Sequence, residues 1–129
     1  MTIKVELSYG EMLDKITILQ IKSERISDAG KVANVNKELN LLNNLWQADE
    51  KSGVDISEEF SKLKKINEAL WDIEDDIRDK ERAKEFDEKF IELARAVYVT
   101  NDQRADIKHV INVKLGSDLV EEKSYADYN

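Results

Sequence analysis

The 129-residue chain contains no cysteine and no proline, only four glycines, and 7% aromatic residues. Without cysteine there is no disulfide, no thiol nucleophile and no thiolate metal site. Without proline the strongest helix breaker is missing, so long uninterrupted helices are permitted throughout. Glycine-rich phosphate loops are absent, and no cofactor is expected. Long hydrophobic runs are missing too: the longest uncharged stretch, Leu39 to Ala48, is too short to span a bilayer. The N-terminus, MTIKVELSYG, lacks the basic segment and apolar run of a signal peptide, so a cytoplasmic location is expected. Positive charge is in deficit, with 20 Lys and Arg against 28 Asp and Glu and a formal net charge of -8. That balance argues against nucleic-acid binding, which needs a concentrated basic surface, and against adsorption to anionic membranes.

What remains is a 41% hydrophobic, 37% charged composition, that of a helix-rich globular protein rather than a disordered one. One domain covering residues 1–129 is the expectation. A chain of this size buries roughly two-thirds of its unfolded surface. Residues 2–7 alternate Ile3, Val5 and Leu7 with Thr2, Lys4 and Glu6, which suggests a short extended segment. Ser8 and Glu11 form a capping box, so a first helix runs from about Tyr9 to Ile26. Asp28 caps a second, with Val32, Val35, Leu39, Leu42 and Trp46 in three-and-four spacing, ending near Lys51. Ser57 caps a third, striped by Phe60, Leu63, Ile66, Leu70, Ile73 and Ile77. The charged segment Asp79 to Glu88 reads either as a continuous helix or as a turn with Asp87 capping the next helix. A fourth helix runs from about Glu88 to Leu115, stopped by Gly116. The tail, SDLVEEKSYADYN, is not helical by pattern, and it has the option of pairing with residues 2–7. The expected fold is all-α: an antiparallel bundle of about four helices with an extended N-terminal segment and a non-helical C-terminal tail. Near-heptad stripes also suit a homodimer of bundles.

The fourth helix holds the best functional lead. Its stripe runs Phe90, Ala94, Val97, Asn101, Arg104, Lys108, Ile111, Leu115, apolar at the ends and polar in the middle. Burying such groups unpaired costs roughly a few kcal/mol each, and more for charges. They are therefore paired, open to water, or waiting for an anionic ligand. In the pairing account, Arg104 and Lys108 meet Asp102, carboxylates of helix three, or Glu121 and Glu122 of the tail. In the ligand account, Arg104, Lys108, Asn101 and Tyr98, with Arg25 or Arg78, receive a carboxylate or phosphate, since arginine's fork matches planar oxyanions.

Helix one offers a second band, Glu11, Lys15, Ile18, Lys22, Arg25, in which Glu11 and Lys15 form an ordinary i,i+4 pair. Were it to face the band on helix four, four cations would converge. Helix three carries Asp72, Glu74, Asp75, Asp76, Asp79 and Glu81. All-helical nucleotide pyrophosphatases hold magnesium with two acidic pairs on adjacent helices, but a second pair is not evident here, and no metal is expected. Glu74 and Arg78, four apart beside Trp71, read as a structural ion pair. His109 has no serine or cysteine in a triad arrangement. Asn36 and Asn43, flanking the stripe of helix two, suit a role in setting helix register.

The blocks GEMLDKITILQIKSERI, LWDIEDDIR, FIELARAVYVTNDQRADIKHVIN and GSDLVEEKSY resemble an uncharacterised family of short bacterial proteins, a domain of unknown function. Its members are often encoded near sugar transferases and cell-envelope biosynthesis genes. The resemblance implies a shared helical fold and a signature region containing Arg95, Tyr98, Asn101, Asp102, Arg104, Lys108, Glu121, Glu122, Lys123 and Tyr125. It implies no activity. LDKITILQIKSER is also similar to the first helix of helical chorismate mutases, which stabilise a dianionic transition state with converging cations. Arg25, Arg78, Arg104 and Lys108 would be the counterparts, although the spacing from Asp14 to Arg25 departs from that pattern. Two functions are consistent with these observations. One is a non-enzymatic protein-interaction module of an envelope or polysaccharide pathway. The other is a binder of, or enzyme for, a small anionic metabolite such as a sugar phosphate or nucleotide sugar.

Overall fold

Side chains next to the helix ends set most of the boundaries. Ser8 Oγ accepts the Glu11 N–H at 3.2 Å, Asp28 accepts that of Lys31 at 2.9 Å, and Asp87 accepts that of Phe90 at 3.0 Å. Each satisfies an amide that the first helical turn leaves unpaired. In the computed structural model, which describes residues 1–128, these caps start α1 (Tyr9–Arg25), α2 (Ala29–Ala48) and α4 (Glu88–Leu115). The remaining helix is α3 (Ser57–Ala83), and a 3-10 turn spans Glu50–Gly53. Gly116 ends α4 at φ 66°, the left-handed conformation glycine adopts most cheaply.

Two boundaries differ from the sequence expectation. Ser57 is the first residue of α3 rather than its cap. Asp55 accepts both the Ser57 N–H at 3.0 Å and its hydroxyl at 2.7 Å, which leaves Ile56 in the cap position. α2 stops at Ala48, because Asp49 turns the chain by accepting the Lys51 N–H at 2.8 Å. The segment 79–88 is a turn: α3 continues to Ala83, Lys84 takes a left-handed φ of 57°, and α4 restarts at its Asp87 cap. Lys80 clamps that turn through Glu85 at 2.9 Å and Asp87 at 3.0 Å, and Phe86 packs edge-on against Phe90.

The four helices form the expected all-α antiparallel bundle, and no strand occurs among the described residues. α3 and α4 pair along their length as a hairpin, each about 40 Å long at 1.5 Å per residue. α1 lies in the groove between them and buries Leu13, Ile16, Leu19 and Ile21 almost completely. The core beneath it contains Ile56, Leu63, Ile111 and Leu115. α2 packs mainly on the outer side of α1 and buries no residue of its own. Residues 1–7 are exposed and form no strand, so they do not pair with the tail. The described tail instead runs back along α4, held by Lys123 to Asp102 at 3.1 Å and by Tyr128 against Tyr98. No helix among the described residues is long and apolar enough to cross a membrane.

Candidate functional site

A carboxylate at the centre of a helical core is costly unless it is paired and hydrogen-bonded. Asp14, in the middle of α1, is 1% exposed. It meets Arg104 of α4 at 3.2 Å, lies 3.9 Å from the Lys108 ammonium, and accepts the Asn67 amide of α3 at 2.9 Å. The next turn of α1 completes the arrangement. Thr17 donates its hydroxyl hydrogen to the Asp14 carbonyl at 2.7 Å, so its oxygen is left only to accept, from Asn67 at 2.8 Å. Both Asn67 N–H groups are thereby used, which fixes the orientation of its amide.

Lys108 is buried beside this network. Its ammonium reaches Glu11 at 2.8 Å and Glu121 of the tail at 2.9 Å. Burial favours the neutral amine, but the bonds to the two glutamates outweigh it and the Lys108 pKa is raised. Burial likewise pushes the Glu11 carboxyl up, while Lys108 beside it pulls harder and leaves its pKa below the usual value. The helices meet closely here: the Gly10 N–H donates to Asn112 at 2.6 Å, and a Cβ on Gly10 would lie 2.5 Å from the Lys108 carbonyl oxygen. Glycine is what permits the approach.

Of the residues picked out in the sequence, Asn101, Arg104 and Lys108 share one side of α4 and line a cavity of about 430 Å³ under the tail strap. Arg78 joins Asn101 and Arg104 along a second, larger cleft between α1, α3 and α4. Tyr98 turns instead towards the tail and Tyr128. Arg25 is held at the end of α1 by Asp72 at 2.6 Å and lies over Trp71 at 5.9 Å. Arg78 pairs with Glu74 at 3.3 Å, the i,i+4 pair expected from spacing, and is 76% exposed. Each of the four cations thus already meets a carboxylate. Glu11 faces Lys108 rather than pairing with Lys15, so the bands of α1 and α4 meet as opposite charges and four cations do not converge. Asp102 binds Lys123 and not Arg104 or Lys108. Sequence reasoning named Glu121 as a partner of Lys108 but missed Asp14, Thr17 and Asn67.

The inner cluster therefore holds two cations, Arg104 and Lys108, against three carboxylates, Asp14, Glu11 and Glu121. Its formal balance is negative by one charge, which suits holding helices and tail together better than attracting an anion. Among the described residues no group of His, Cys, Asp and Glu side chains is disposed to hold a metal ion. His109 lies on the exposed side of α4, at a shallow pocket shared with Glu121 and Glu122.

No curated protein and no solved structure matches the chain. One family model matches residues 3–128, nearly the whole sequence, and the chain belongs to that family, a family of unknown function designated DUF6165.

Proposed function

We propose that the protein is a non-enzymatic interaction module, a homodimer that docks another protein of a cell-envelope or polysaccharide pathway. The observation that supports this reading most is α2. It is a 20-residue helix with no buried residue, and it leaves Leu41 and Leu45 each 56% exposed. Its charged residues are Lys31, Lys37 and Glu38, a sparse set in a chain that is 37% charged. Depletion of charge around apolar side chains is the composition of an interface centre. Two copies of a chain with net charge -8 repel each other, and α2, with two lysines against one glutamate, does not add to that repulsion. The pathway rests on the resemblance alone. The alternative, a pocket for a sugar phosphate or nucleotide sugar at Arg104, Lys108, Asn101 and Tyr98, is less favoured because the cations are matched and the cluster is net negative.

Light scattering on the eluting protein, combined with affinity capture, tests the reading. A dimer is expected, with Leu41→Glu/Leu45→Glu shifting it to a monomer at unchanged helicity. A wild-type monomer at all concentrations, together with failure to capture any protein, would refute the proposal.

A further inference from the structure

The cleft between α1, α3 and α4 encloses about 720 Å³, within the range of small-molecule sites. Its lining is of three kinds. Ile18, Ile21 and Leu70 are apolar, and Trp71 adds an aromatic surface. Arg104, Lys22, Arg78 and Asn101 bring hydrogen-bond donors, Glu74 and Asp75 bring negative charge, and Glu74 is already paired with Arg78 at 3.3 Å. Two groups are pre-set by the buried Asp14 network. Arg104 touches Asp14 through one nitrogen, and with 30% of its side chain exposed the rest of its planar fork remains for a second carboxylate. Asn67, 6% exposed, lines the same cleft with both N–H groups spent on Asp14 and Thr17. Its carbonyl oxygen accepts no hydrogen bond among the described residues and is open to the cleft rather than sealed from water, which leaves it available to a ligand donor. Asp75, on the next turns of α3, forms no ion pair among the described residues within salt-bridge distance.

A donor fork, an accessible acceptor with the carboxylate of Asp75 near it, and an apolar floor together match one ligand chemistry. We propose that this cleft binds a small zwitterion with an apolar body, namely a free α-amino acid or dipeptide with an aliphatic or aromatic side chain. The ligand carboxylate lies on Arg104 and Asn101, its ammonium on Asn67 Oδ1 and the Glu74/Asp75 edge, and its side chain on Leu70 and Trp71. The lining carries three cations, Lys22, Arg78 and Arg104, against two carboxylates, so a ligand bearing both charges finds a partner for each. The site is independent of the docking reading above and uses none of α2.

The test is a titration of the full chain, with L-leucine and L-phenylalanine as probes. It follows the Trp71 indole and the Asn67 and Asn101 side-chain amides by nitrogen–proton correlation NMR. Saturable shifts confined to these groups are expected. N-acetyl-leucine, lacking the ammonium, and leucinamide, lacking the carboxylate, should each bind at least about tenfold more weakly, as should glycine. Glu74→Gln/Asp75→Asn alters one half-buried and one exposed position outside the core, and should weaken leucine about tenfold without weakening N-acetyl-leucine. No shift at saturating leucine, binding of N-acetyl-leucine, leucinamide or glycine as tight as that of leucine, or an indifferent double variant would each overturn the assignment.

Discussion

Replacing Asp14 by alanine removes the group on which the centre of the bundle converges, and the cost can be worked from its partners. Asn67 loses the acceptor of one amide N–H in a site where water does not replace it, a loss of about 1–3 kcal/mol. Arg104 is partly exposed and recovers water, so its share is small, while Lys108 keeps Glu11 and Glu121. No buried charge is left unpaired, so the loss stays below the roughly 3–5 kcal/mol of a pair broken from one side and comes to about 2 kcal/mol. Unfolding entropy of about 2.1 cal/mol/K per residue gives about 0.27 kcal/mol/K for 129 residues, so a loss of about 2 kcal/mol lowers Tm by about 7 °C. Thermal unfolding followed by circular dichroism at neutral pH and fixed concentration reads this directly. Asp14→Asn, which keeps an acceptor for Asn67, should lose less. Arg104→Ala strands the carboxylate, and the double variant should be more stable than the sum of the singles by about 1–3 kcal/mol. A loss below about 1 kcal/mol for Asp14→Ala, or additive behaviour in the cycle, would refute the account of a central carboxylate held by α3 and α4.

Gly10→Ala should cost about 1–3 kcal/mol in chemical denaturation, because its methyl meets the Lys108 carbonyl and the Asn112 amide oxygen at 2.9 Å. Asn112→Ala should cost a similar amount by leaving the buried Gly10 N–H unpaired, and Asn112→Asp should recover part of it. The lowered pKa of Glu11 contributes stability that is fully present above its usual value of 4.5 and is lost as pH falls through the folded value. Acid titration of Tm should therefore steepen below about pH 4.5, and Glu11→Gln should flatten that limb; parallel limbs would contradict the sign. Ending the chain at Ser117 removes the strap but no buried residue, so Tm should fall by only a few degrees and cooperative unfolding should persist.

Much of the fold was legible because its determinants are local. Ser8, Asp28, Asp87 and Gly116 act within one helical turn of themselves, and their roles follow from spacing. The turn after α3 was legible only as one of two readings, because its left-handed residue is Lys84 and no glycine marks it. The site was half visible. Arg104 and Lys108 stood out as polar residues inside an apolar stripe, and their pairing with a tail carboxylate was among the expected outcomes. The same signal was present on the other helices. Asn67 falls between Leu63 and Leu70 in the core stripe of α3, and Asp14 and Thr17 follow Leu13 on the buried side of α1. Which of the many carboxylates faced Arg104 depended on how α1 lies in the groove, and spacing within one helix does not contain that information.

The placement of α1 also bears on how the chain reaches its native state. The first helix to be made is the one that three others surround, and its closest partner is among the last: Gly10 bonds to Asn112, 102 residues later. Until α4 is complete, the apolar faces of α1 and the carboxylate of Asp14 have no permanent shelter. The α3–α4 hairpin, built from neighbours in sequence, can close early, whereas seating α1 into it requires closing nearly the whole chain into a loop. During synthesis, then, the finished core is a late event, and the α1–α2 pair must persist on its own in the meantime. A sparsely charged α2 packed on α1 covers part of that apolar face in the interval.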